Sequence, residues 1–291
     1  MSDLNVYTTS QINALTPITG DMVVDSDLNA IKLYDGSAWR TWNSDSVVGP
    51  FTSAYSVALD GADDRIVYDS TSGNQTSLGS FTGDMSFVLW FKQNTSPSTY
   101  EVLISSHHRL ITGDGVQGKF DMDILSGGRL RTFSRDSNGG GFTDSTGGAV
   151  VNNSWNFVAH VVDTTASSHY TYIGSTSSAP TLANTISSSQ TLEDFSNGFK
   201  LGDGYQANLG GYINDFAIFD GKALNLTEVQ TIWNNGLPFN FANDASLNPV
   251  GWYRMGDDNS GAGTLVQNKV NTASSYNAEL ENGASFSQTT Y

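Results

Sequence analysis

The chain has no cysteine among its 291 residues. That excludes disulfides, a thiol nucleophile and cysteine-ligated zinc, so stability must come from packing or assembly. Basic residues are scarce: 13 Lys and Arg stand against 29 Asp and Glu, for a net charge of −16. A balance this acidic repels phosphate backbones and anionic headgroups, and argues against nucleic acid or a membrane surface as a partner. No stretch approaches the ~18 consecutive apolar residues of a membrane-spanning helix. The opening "MSDLNVYTTSQINALTP" has neither a basic n-region nor an apolar h-region, so the expectation is a soluble product of the cytoplasm. Glutamate is rare too, confined to Glu101, Glu193, Glu228, Glu279 and Glu281. Acids that are mostly Asp mark turns more than helix faces.

What is present reads as β-structure. Hydrophobic residues make up 38% and aromatics 11% of the chain, enough for a large core. From Tyr55 onward, short β-branched and aromatic runs recur at 55–60, 65–68, 86–92, 101–111, 119–125, 129–133, 155–163, 169–173, 199–201, 211–219 and 248–255, bounded by Gly, Asp, Asn or Ser. Many short strands separated by turn signals predict an antiparallel sandwich or jelly roll. One helix is expected in "NLTEVQTIWNNGLP". Asn225 caps it with Glu228 three residues on, Leu226, Val229, Ile232 and Trp233 share a face, and Gly236 and Pro238 end it.

Residues 21–42 read separately as three short strands. So small a meander cannot bury enough surface to stand alone, so Leu33, Tyr34, Trp39 and Trp42 are expected to pack on the main domain, on a second copy or on another protein. The polar stretch "NSDSVVGPFTSA" (43–54) suits a linker. The predicted organisation is an N-terminal assembly segment over 1–47 and a jelly-roll domain over 48–291.

Four segments, in this order, resemble the laminin-G-like, concanavalin-A-like jelly-roll superfamily. They are "YSVALDGADDRIVY" (55–68), "MSFVLWFKQ" (85–93), "NNSWNFVAHVVD" (152–163) and "FKLGDGYQANLGGYINDFAIFDGKALNLTEVQTIWNNG" (199–236). The resemblance organises roughly four fifths of the chain. Residues 20–42, "GDMVVDSDLNAIKLYDGSAWRTW", and 251–261, "GWYRMGDDNSG", resemble segments of tailed-bacteriophage virion proteins. This second resemblance implies a protein of the virion surface, a head decoration or fibre-like appendage, made in the host cytoplasm and anchored through its N-terminal segment to other virion proteins or to its own copies. The alternative is a glycan-binding adhesin that recognises host cell-surface polysaccharide.

Catalytic signatures are missing. Glucanases of this superfamily carry E-x-D-x-x-E on one strand, and this chain does not. Its nearest approach is Glu279-Leu280-Glu281, expected to be a solvated pair on an edge strand, and there is no G-x-S-x-G or H-E-x-x-H. A non-enzyme is predicted. His107 and His108 are adjacent and would face opposite ways in a strand, while His160 is expected to pack in the core. Asp257–Gly261 resembles the start of a calcium loop but lacks its Gly and bidentate Glu.

Asp60-Gly61-Ala62-Asp63-Asp64 is explained by a hairpin corner between paired strands, since Gly permits positive φ and Asp satisfies turn amides. Where superfamily members bind calcium, acids and amides come from two rim loops. By that resemblance the metal ligands here would be Asp114, Asp203 and Asn208, with Tyr205 and Gln206 as glycan-binding groups.

Overall fold

The computed structural model describes residues 5–27, 30–42, 53–69, 78–106, 120–135, 141–192, 195, 198–204, 208–270, 273 and 276–288. The chain divides into two compact units, Met1–Thr52 and Ser53–Tyr291. His107, His108, Asp114, Tyr205 and Gln206 lie outside the described residues, as does the side chain of Trp42.

The N-terminal unit holds strands β1 (Val6–Tyr7), β2 (Met22–Asp25), β3 (Ala30–Tyr34) and β4 (Trp39–Trp42), with helix α1 (Thr9–Asn13) between β1 and β2. The sheet order is β1-β2-β3-β4, parallel at β1–β2 and antiparallel elsewhere. The meander of β2 to β4 follows the sequence pattern. The helix and β1 do not; α1 starts in a capping box in which Thr8 and Gln11 satisfy each other's amides, a Thr-x-x-Gln signal too short to mark a helix without its tertiary partners. Buried Asp25 then accepts from Thr9 Oγ1 at 2.8 Å. Among described apolar side chains of this unit, only Ile12 and Val23 are buried.

Register separates the expected assembly residues. Tyr34 lies opposite Trp39 with ring centroids 5.5 Å apart. Leu33 faces Arg40, and Trp42 pairs with Ile31. Because strand residues alternate, Tyr34 and Trp39 occupy one face and Leu33 the other.

The second unit is a jelly-roll sandwich. Its first half comprises β5 (Ser56–Asp60), β6 (Arg65–Asp69), β7 (Met85–Gln93), β8 (Tyr100–Ser105), β9 (Phe120–Leu125), β10 (Arg129–Arg135), β11 (Gly141–Gly147) and β12 (Trp155–Asp163). There follow β13 (Ser168–Ser175), β14 (Thr181–Ser187), β15 (Gly198–Leu201), β16 (Gly210–Asp220), helix α2 (Leu226–Trp233), β17 (Gly251–Tyr253), β18 (Leu265–Val266), β19 (Ala278–Glu281) and β20 (Ser285–Ser287). One sheet runs β11-β10-β9-β8-β15-β6-β19-β18; the other runs β14-β13-β12-β7-β16-β5-β20, with β17 on β16. Ile66, Tyr68, Ile104, Phe120 and Met122 of the first sheet meet Phe87, Leu89, Phe91, Ile213 and Phe216 of the second in one core.

Strands β7 and β12 are buried almost end to end. Their apolar runs are continuous because residues facing away from the core are covered as well: Trp90 and Phe157 pack at 5.2 Å, and Phe241 packs on Phe219 and Trp252. Helix α2 has the expected cap, with Asn225 Oδ1 accepting from Glu228 and Glu228 Oε2 from Asn225. Val229 and Ile232 are buried, but Leu226 is exposed. Trp233 Nε1 donates to Ser175 O at 2.6 Å and ties the helix to β13.

Candidate functional site

Of the connections that cross from one sheet to the other at one end of the sandwich, three are linked by side-chain hydrogen bonds: β5 to β6, β15 to β16, and β19 to β20. The Asp60–Asp64 corner is therefore not a hairpin between paired strands, as its flanks suggest. β5 and β6 belong to different sheets because Leu59 and Ile66 both enter the core between them. Gly61, at φ +82, lets the crossing lie close to Gly210; an added Cβ would sit 3.2 Å from the Gly210 Cα.

The corner is closed by its own acids. Asp60 Oδ1 accepts from the Ala62 amide at 2.7 Å, and Asp64 Oδ2 accepts from the Asp60 amide at 2.9 Å. The other two crossings pin its carbonyls, Asn208 Nδ2 donating to Ala62 O and Asn282 Nδ2 to Asp63 O. One carboxylate oxygen from each of Asp60, Asp63 and Asp64 falls within 4.8 Å of the others. Asp60 and Asp63 are exposed, whereas Asp64 is only 4% exposed. Burial raises the Asp64 carboxyl above its ordinary range; the Asp60 amide holds it down in part, and the charges of Asp60 and Asp63 add to the rise.

Asp203 and Asn208 come together in an antiparallel bridge beside this corner. Their roles differ from a ligand pair. Asp203 Oδ2 receives both Lys200 Nζ at 2.8 Å and Arg65 Nη1 at 3.0 Å, and Arg65 Nε donates to Glu281 Oε2 at 2.8 Å. A metal ion at that oxygen would have to displace two cations. Glu279 and Glu281 are not on an edge strand either: β19 sits between β6 and β18, and Arg65 draws Glu281 into a half-buried ion pair. Glu101, also near this end, is raised by burial, and it accepts from Gln93 Nε2 at 2.7 Å. Asp257 is likewise occupied, holding the amides of Ala54 and Tyr55.

The outward face of the first sheet continues this polar lattice. Asp121 and Asp123 of β9 point away from the core strip of Phe120, Met122 and Ile124, and Arg131, across the strand from Asp123, bonds it through Nε at 2.8 Å. The Arg131 guanidinium also lies 5.1 Å from the Tyr100 ring centroid. These acids were legible only as alternation in "FDMDIL"; nothing local marks their partners.

A profile of the concanavalin A-like lectin/glucanases superfamily matches residues 62–230, more than half of the chain. The chain belongs to this superfamily. No curated protein matches the sequence. Among solved structures, a Bacteroides ovatus protein provisionally assigned to carbohydrate binding aligns over 99% of this chain and 81% of its own, with a TM-score of 0.55 and 10% identity. The CBM40 of the Ruminococcus gnavus IT-sialidase aligns over 61% of this chain and 95% of its own, at TM-score 0.46 and 15% identity. A SAP-like pentraxin of Limulus polyphemus aligns over 62% and 82%, at 0.44 and 14%. At these identities the likeness is one of fold. The superfamily name covers both lectins and glucanases, so function has to be argued from the side chains and not from the sandwich. Here the i,i+2 pairs Asp121/Asp123 and Glu279/Glu281 lie on strands separated by β8, β15 and β6. Residues i and i+2 of one strand stand ~6.6 Å apart, inside the ~5–9.5 Å range of glycosidase carboxylates, so what bears on the reading is how these acids are paired. Within each pair one acid is tied to an arginine.

Proposed function

We propose that the chain is a glycan-binding protein without hydrolase activity, attached through its N-terminal unit. Membership of a superfamily of lectins and glucanases carries the reading, and the arginine-paired carboxylates favour binding over hydrolysis. The recognition surface is the crossing end of the sandwich. There the exposed carboxylates of Asp60 and Asp63 and the amide of Asn208 offer acceptors and donors for sugar hydroxyls. Tyr205 and Gln206, between Asp203 and Asn208 in sequence, supply a stacking ring and a further amide. The ligand class is a host cell-surface polysaccharide. The virion surface as the place of display, and virion proteins or further copies as the partners of residues 1–47, rest on the resemblance of residues 20–42 and 251–261.

Glycan-array binding of the full chain, followed by calorimetry on the hits, tests this. Binding weakened by Tyr205→Ala is the expected result. No binding to any array glycan overturns the reading, as does release of reducing ends from polysaccharide that Asp121→Asn or Glu279→Gln abolishes.

A further inference from the structure

We propose that the Asp60–Asp64 crossing binds a divalent cation of the calcium class, between the carboxylates of Asp60, Asp63 and Asp64. The site shares Asp60 and Asp63 with the proposed sugar-facing surface but does not depend on a sugar, and it places the cation away from Asp203. Three observations carry it. The first is convergence: one oxygen of each carboxylate lies within 4.8 Å of the other two. The second is independent of charge count. Asp64 is 96% enclosed by the fold (4% exposed), yet its Oδ1 accepts no hydrogen bond. A buried carboxylate oxygen without a donor is costly, and a cation is the partner that repays it. Gly283, at φ +124, packs against that oxygen, and an added Cβ there would lie 2.8 Å from Asp64 Oδ1.

The third observation is preorganisation. The corner is clasped from two sides by Asn208 and Asn282, and its own amides occupy Asp60 Oδ1 and Asp64 Oδ2. That leaves the second oxygen of each acid, and the Asp63 carboxylate, facing no described donor. Placing three carboxylates together in this way raises their mutual repulsion, which a bound cation removes. The donor set is all oxygen, with no histidine or cysteine, which selects a hard cation; the open, exposed side at Asp60 and Asp63 leaves room for the waters that complete a calcium shell. Asp203, neutralised by Arg65 and Lys200, has no such need.

The test uses the full chain stripped with chelator and titrated with calcium chloride, by calorimetry and by thermal melts. The expected dissociation constant is roughly 10⁻⁴ to 10⁻³ M, as for extracellular modules. The melting midpoint should rise with calcium and return with chelator. Asp63→Asn, at an exposed position with no described side-chain bond, should fold normally and weaken calcium by about tenfold or more, because affinity follows ligand charge. Asp114→Asn should leave it unchanged. The proposal is overturned if calcium at about 10 mM gives neither heat nor a shift. It is equally overturned if the response survives in Asp60→Asn/Asp63→Asn, or is lost in Asp114→Asn alone. None of these readings requires a sugar, so failure here and failure of glycan binding are distinguishable.

Discussion

Two buried titratable residues pull the stability of the sandwich in opposite directions with pH. His160 is fully buried between the rings of Phe87 and Phe120, its Nδ1 3.0 Å from Thr171 Oγ1. Burial, and then the neighbouring His169, push its pKa well below the ordinary 6.5. The native state thus resists the proton that the unfolded chain accepts, and stability falls as pH drops below about 6.5. His160→Leu should lose this acid sensitivity: between pH 7 and 5 its urea midpoint should fall less than that of the unaltered chain, and parallel curves would refute the assignment. Asp215 behaves inversely. It occupies the bulge of β16 at φ +40, and burial pushes its carboxyl from 3.8 up to about 7, against the lowering pull of Arg254. Between those values the native state holds more protons than the unfolded one, so this residue adds stability as pH falls through 7. Asp215→Asn keeps the shape and tolerates positive φ. It should be more stable than the parent at pH 8, with the gap closing toward pH 5 in chemical denaturation.

Elements are held by interactions of very different sequence range. Helix α2 depends on a local signal, and Asn225→Ala should cost about 1 kcal/mol by removing the cap on Glu228, measurable as a lower urea midpoint with an unchanged slope. The outward face of β6, β15 and β19 depends on Arg65, which reaches Asp203 and Glu281 with all three side chains largely buried. Arg65→Met should cost about 3 kcal/mol, since it takes the arginine from Glu281 and leaves Asp203 with Lys200 alone in a largely buried setting. A loss under about 1 kcal/mol would mean that the ion pairs behave as surface contacts. The capping pair was legible because its partners are three residues apart, whereas Arg65 and Glu281 are separated by 216 positions. The same limit explains Glu279-Leu280-Glu281. Alternation correctly put both acids on one face, but only pairing with β6 and β18 shows the strand to be internal.

At the scale of the whole molecule, the second unit has one continuous core shared by its two sheets, while the described part of the first buries little beyond Ile12 and Val23. Deleting residues 1–47 should leave a soluble chain that unfolds in one cooperative transition, followed by circular dichroism, whereas residues 1–47 alone should remain unfolded. A broad transition or aggregation of the truncated chain would contradict this. The sequence by itself determined the all-β class, through scarce Glu and abundant turn residues. It also placed the meander of residues 21–42, the buried strands β7 and β12, and the N-terminal cap of α2, because these follow from period, composition and contacts within a few positions; the helix end, expected at Gly236 and Pro238, instead falls at Asn234, which takes φ +49 as the C-cap. Only the tertiary structure decided that Asp60–Asp64 passes between sheets, that Asp203 is bound by two cations, and that Tyr34 and Trp39 stand on the opposite face from Leu33. Those outcomes depend on which distant strands pair and in what register, and period-two alternation is satisfied equally well by every partner with a matching face.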